Sequence, residues 1–140
     1  MPVDATQPYD HSNVFAKILR GEIPAKRIYE DDYAIAFPDI APVAPTHILV
    51  IPKGAYVSWD DFSARASDAE IAGFVRAVGK VARDAGLVVP GFRLLANAGP
   101  DAHQTVGHLH VHLFAGRKLG PMLVDARTVD AMLARGDAIG

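Results

Sequence analysis

The chain has 140 residues, half of them hydrophobic and 21% charged, enough for one domain with a true core and some apolar surface left for a partner or a second copy. Its formal charge of −2 gives no electrostatic reason to bind nucleic acid or a membrane, and the lack of cysteine excludes disulfides and thiolate metal sites. Nothing reads as a signal peptide, and no apolar run approaches the ~20 residues of a membrane span, so the expectation is a soluble, cytoplasmic protein.

Residues 1–11 are polar, carry Pro2 and Pro8, and read as a flexible arm. Ser12 reads as the N-cap of a short amphipathic helix, with Val14, Phe15, Ile18 and Leu19 at helical spacing and Gly21 as the stop. Residues 27–30 and 33–37 predict a hairpin across Asp31 and Asp32. Pro38, Pro42 and Pro45 force an irregular crossing into residues 46–51, the most apolar run, which reads as a buried strand stopped by Pro52. Ser67 and Glu70 form a capping box opening a long helix, whose face is Ile71, Phe74, Val75, Val78, Val81, Ala82 and Ala85. Gly86 stands where a left-handed helix end needs it. Residues 92–97 predict a further strand, followed by a turn and the strand that carries the histidine run; a last short helix begins at Thr128. Strands joined by short turns make a largely antiparallel sheet of about five strands with helices on one face, an α+β fold. Residues 12–123 form a single domain, with 124–140 as an extension.

Three of the six histidines, His108, His110 and His112, alternate with Leu109, Val111 and Leu113. On a strand they share one face roughly 6.6–7 Å apart, which predicts a row of imidazoles along an exposed face. Three readings fit such a row. It can be the polar face of an edge strand. It can ligate zinc or iron in a metal-dependent hydrolase or oxygenase, although Asp101 is the only carboxylate within seven positions. It can also hold a neutral imidazole nucleophile beside a proton-donating neighbour, because crowded rings resist simultaneous protonation. For a phosphate, Gln104 and Thr105 before the strand and Asn97 at the end of the preceding one supply neutral donors.

The run His108-Leu109-His110-Val111-His112-Leu113-Phe114 resembles the signature of the histidine-triad (HIT) proteins, most like their Hint branch of nucleoside phosphoramidate hydrolases. Residues 14–19, 22–25, 37–40, 44–53 and 104–106 carry further likeness in order, so the resemblance covers residues 12–123. It implies a homodimer with one continuous sheet, a small nucleotide substrate, no metal or other cofactor, and hydrolysis of purine, preferably adenosine-type, nucleoside phosphoramidates. His110 is then the nucleophile on the α-phosphorus, forming a nucleotidyl-histidine that water resolves to nucleoside monophosphate. His112 matches the position beside phosphate and leaving group, while His108 and His47 match histidines that orient the nucleophile and share protons. Asn97, Gln104 and Thr105 match phosphate-contacting positions, and Asp39 matches the carboxylate that accepts the ribose hydroxyls. Val14, Phe15, Ile18, Ile23, Phe37 and Ile40 match the apolar base pocket. A dinucleoside polyphosphate hydrolase of another HIT branch and a nucleotide-binding module with little catalysis are the alternatives within the resemblance.

Five positions depart from that pattern. Gly107 stands where a larger residue is frequent, Pro38 where animal relatives carry histidine, and Thr105 where serine is usual. Ala102 and His103 replace a Gly-Gly-like pair beside the phosphate loop. Residues 116–123 resemble bacterial Hint tails, in which the chain end shapes the neighbouring subunit's site.

Overall fold

Side-chain alternation builds the sheet in the computed structural model, which describes residues 2–137; Met1 and the last three residues of the expected extension lie outside the described residues. In β2 (Ala34–Pro38), Ala34 and Ala36 face one side and Ile35 and Phe37 the other; in β3 (Thr46–Pro52), Ile48 and Val50 join the first side, Leu49 and Ile51 the second. With β1 (Tyr29–Glu30), β4 (Arg93–Leu95) and β5 (Val111–Ala115), these make a five-stranded antiparallel sheet in the order β1-β2-β3-β5-β4. The α+β architecture and the strand number agree with the sequence pattern. Among the described residues no helix is long and apolar enough to cross a membrane.

The hairpin turn between β1 and β2 is made by Asp31, whose Oδ1 accepts the amides of Tyr33 at 2.7 Å and Ala34 at 2.9 Å. One face of the sheet is covered by α3 (Asp68–Asp84), where Phe74, Ala77, Val78, Val81 and Ala82 close a core with Leu109, Val111, Leu113 and Ala115. Its capping box forms in both directions, Ser67 Oγ accepting from the Glu70 amide and Glu70 Oε1 from the Ser67 amide, each at 3.1 Å. Gly86 follows at φ 72°, the left-handed turn that releases the chain from the helix. The opposite face receives α1 (Val14–Leu19), whose Phe15 and Ile18 pack on Ile35, Phe37, Leu49 and Ile51. Helices therefore lie on both faces rather than on one.

Several local expectations shift. The cap of α1 is Asn13, whose side chain accepts the Ala16 amide at 2.9 Å, because Ser12 is engaged by Asp10. The expected strand over 92–97 shortens to β4, and a helix absent from the sequence reading, α2 (Trp59–Arg65), starts at a second capping box of Ser58 and Asp61. The last helix, α4 (Ala126–Ala134), starts earlier than Thr128 because Asp125 caps it, accepting the Thr128 amide at 3.0 Å. None of its residues is buried.

Candidate active site

The regular ladder of the histidine strand begins only at Val111. Before it, the backbone is held by Leu109, whose amide donates to the Tyr56 carbonyl at 2.8 Å. The alternation survives this irregularity: Leu109, Val111 and Leu113 go into the α3 core, and the three imidazoles turn to the other face. That face is not an open row. His108 is 0% exposed and His110 5%, because α1 and the N-terminal arm lie across them.

Backbone partners decide the protonation of each ring. His110 Nδ1 is 2.7 Å from the His108 carbonyl, which can only accept, so Nδ1 carries the proton and Nε2 keeps its lone pair. His108 Nε2 donates to the Pro52 carbonyl at 2.8 Å, leaving Nδ1 as acceptor for the Tyr9 hydroxyl at 2.6 Å. His47 Nδ1 accepts the Val43 amide at 3.2 Å, so its Nε2–H donates to His112 Nδ1 at 2.9 Å, and His112 is left with its proton on Nε2. Burial pushes all four imidazoles below the ordinary histidine range. His108 falls to about 4, and so does His112, where the neighbouring His110 and His47 add to the effect of burial. All four rings are therefore neutral at pH 7.

His110 and His112 line a groove of about 700 Å³ whose other walls are Val14, Phe15, Ile18, Ile23, Phe37, Asp39, Ile40 and Thr105. The whole expected nucleoside-binding set thus converges on one cavity with two of the histidines, a size suited to a small ligand. The rings of Phe15 and His110 meet nearly perpendicular, centres 5.0 Å apart, and Ile40 is fully exposed at the rim. Asp39 is fixed by its Oδ1, which accepts the Ala41 amide at 2.8 Å, while Oδ2 lies 3.5 Å from His47 Nε2. His47 and His108 stand behind the lining, within reach of the groove only through the other rings.

Gln104 is placed differently from the sequence expectation. It is 1% exposed, and its carboxamide accepts the Gly99 amide at 3.0 Å and donates to the carbonyls of Val57 at 2.7 Å and Val106 at 3.0 Å. With both of its polar atoms committed, it braces the loop instead of facing a phosphate. Asn97 is half-buried two residues beyond Leu95, the partner of His112, and does not line the groove. Only Thr105 of the three expected phosphate contacts does.

Pro24, Ala25, Lys26, Pro38, Leu49 and Val106 also line the groove and were not among the predicted site residues. Leu49 was accessible from the alternation in β3, since it lies opposite His112 in the ladder. Nothing in the local sequence marks Tyr9, 99 positions from its partner His108.

Asp39, His47 and His112 bring one ligand atom each within 4.8 Å of one another, enough to consider a metal. The hydrogen bonding opposes it. Coordination through His47 Nε2 would put the proton on Nδ1, which faces the Val43 amide proton. The arrangement suits a chain of neutral rings better than a cation.

Residues 20–119 match the HIT domain family. The chain belongs to it. An uncharacterised HIT-like protein of Azospirillum brasilense is 68% identical over 115 residues, covering 82% of this chain and 94% of that one. The purine nucleoside phosphoramidase of Escherichia coli K12 is 43% identical over 110 residues, covering 79% and 92%. Among solved structures, a HIT family hydrolase from Clostridium thermocellum superimposes with a TM-score of 0.71 at 37% identity, covering 82% of this chain and 99% of that one. The HIT fold and a hydrolase of this family are thus the common ground of sequence and structure. The matched segment holds every histidine of the site and leaves Tyr9 outside it.

Proposed function

We propose that the chain hydrolyses the P–N bond of purine nucleoside 5′-phosphoramidates through a nucleotidyl-histidine at His110. The observation that carries this reading is the hydrogen bond from His110 Nδ1 to the His108 carbonyl, which leaves Nε2 unprotonated on a ring that lines the groove. A neutral imidazole with its proton fixed on the far nitrogen is a competent nucleophile toward phosphorus. The identity with the E. coli phosphoramidase, 43%, supports this bond and the purine class as substrate.

In the first step Nε2 attacks the α-phosphorus and the P–N bond breaks. The amine leaves with a proton drawn from solvent beside His112, whose Nε2–H faces the same groove and hydrogen-bonds the phosphoryl or leaving group. Water then attacks the phosphorus, the phosphorus–His110 bond breaks, and nucleoside monophosphate departs as the proton returns to solvent. One water is consumed overall. Thr105 at the groove supplies a neutral donor for the phosphate, and Asp39 the acceptor for ribose hydroxyls. The base enters between Phe15, Ile18, Ile23 and Phe37.

The same reading makes the protein a homodimer. β4 ends the sheet at an unpaired edge, with Leu94 45% and Phe92 37% exposed beside an apolar cavity of about 540 Å³ that includes Trp59 and Val75. An edge strand with apolar neighbours is the kind of surface a second copy covers by continuing the sheet.

The test compares turnover of adenosine 5′-phosphoramidate and of a diadenosine polyphosphate by the wild type and by His110→Ala. The proposal expects preference for the phosphoramidate and loss of turnover, with AMP binding retained, in the variant. Faster cleavage of the polyphosphate would favour the other HIT branch, and undiminished turnover by His110→Ala would remove the nucleophile.

A further inference from the structure

The N-terminal arm reaches the catalytic strand at one side chain. Tyr9 Oη lies 2.6 Å from Nδ1 of His108, and their rings meet edge-on with centres 5.6 Å apart. Because the other nitrogen of His108 faces the Pro52 carbonyl, the tyrosine hydroxyl must be the donor. The ring is then tied at both ends, with no exposed surface.

The place of this contact gives it weight. Residues 108–110 precede the β5 ladder, so no β3–β5 pairing holds the segment that carries the nucleophile, and its one tie to β3 is the His108 ring on the Pro52 carbonyl. Its anchors are the Leu109 amide on Tyr56 and the doubly tied ring of His108. The carbonyl of that same residue receives the His110 proton at 2.7 Å. The residue whose ring is tied at both ends is thus also the one whose carbonyl orients the His110 ring.

The arm is seated for this task. Its Val3 amide donates to the Gln104 carbonyl at 2.8 Å, and Val3 Cγ1 would stand 3.9 Å from a Cβ placed on Gly107. That is an ordinary packing distance, so the arm runs directly beside the glycine that precedes the triad.

We propose that Tyr9 is a positioning residue of the active site: its hydroxyl fixes the orientation of His108, whose tautomer the Pro52 carbonyl sets, and through the His108 carbonyl it sets His110 for attack. The catalytic part rests on the phosphoramidase reading; the effect on His108 does not. Desolvation holds the Tyr9 hydroxyl above its ordinary pKa, so the donor stays protonated through the neutral range.

Tyr9→Phe keeps the ring and removes only the donor. With adenosine 5′-phosphoramidate as the probe, kcat is expected to fall about tenfold to a hundredfold with KM within about twofold of wild type, as for a misplaced reacting group. In parallel, nitrogen-15 NMR of the imidazoles in the full-length protein should show His108 Nδ1 losing its hydrogen bond while Nε2 stays protonated toward the Pro52 carbonyl. An unchanged His108 spectrum in Tyr9→Phe overturns the proposal whatever the substrate proves to be. An unchanged kcat, or a loss confined to KM, overturns it as well by making Tyr9 a simple strut or a binding residue. If wild type itself fails to cleave the phosphoramidate, the functional reading falls while the NMR result still decides the role of Tyr9.

Discussion

Nε2 of His47 stands 2.9 Å from Nδ1 of His112, diagonally across the β3–β5 ladder in which His47 pairs with Phe114 and His112 with Leu49. That one contact connects the Val43 amide, through two rings, to the only proton His112 can present to the groove. His47→Ala removes the donor and frees His112 to adopt the other tautomer. We expect kcat toward adenosine 5′-phosphoramidate to fall about a hundredfold, the scale of a displaced proton-handling group. His47→Gln returns an N–H and should recover part of that loss; steady-state kinetics of the two variants checks both.

Acid should destabilise the fold in a window set by the buried imidazoles. His108 and His112 titrate at about 4 when folded, against 6.5 for an ordinary histidine, so the unfolded chain takes up protons first as pH falls. Their contribution to stability is complete above about pH 6.5 and is lost progressively toward pH 4. For His108, which has no exposed surface, the loss is about 3 kcal/mol. Urea unfolding followed from pH 7 to pH 4 should show the midpoint falling; a flat profile would contradict the neutral, desolvated rings.

Gln104 and Thr105 are neighbours with opposite duties, and two substitutions separate them. Gln104→Ala strips partners from the Gly99 amide and the Val57 and Val106 carbonyls, and should cost about 3 kcal/mol of stability. Thr105→Val keeps the shape at the groove and removes the hydroxyl; stability should hold within about 0.5 kcal/mol while kcat/KM drops about tenfold. Thermal unfolding and kinetics of both variants make the comparison.

What could be read from residues alone follows the range of the forces involved. The alternation of His108, His110 and His112 with Leu109, Val111 and Leu113 is a period that any strand-like backbone expresses, and it held even where the ladder is missing. The capping box of Ser67 and Glu70 is equally local. The apolar groove residues were reached through resemblance, since Phe15 or Phe37 alone carries only the signal of a core side chain. The destination of Gln104 was not legible, because a carboxamide serves a phosphate or three backbone groups equally well, and tertiary burial decides between them. Burial of His108 and His110 is not legible for a related reason: their cover comes from Phe15 and Tyr9, far away in the chain. The helix at α2 does carry a local signal, the short capping box of Ser58 and Asp61.

The edge at β4 gives a separate prediction. Leu94→Arg places a charge on the exposed apolar edge without touching the groove. Sedimentation of the wild type should report a dimer and of the variant a monomer. A monomeric wild type at micromolar concentration would remove the paired-sheet assembly.

The central claim is that Nε2 of His110 becomes bonded to phosphorus. Rapid quenching of the wild type with adenosine 5′-phosphoramidate, followed by peptide mass spectrometry, tests it directly. An adenylyl group on His110, absent when His110→Ala is treated in the same way, is the predicted result. Release of AMP with no histidine adduct under trapping conditions, or an adduct on His108 or His112 instead, would contradict the account.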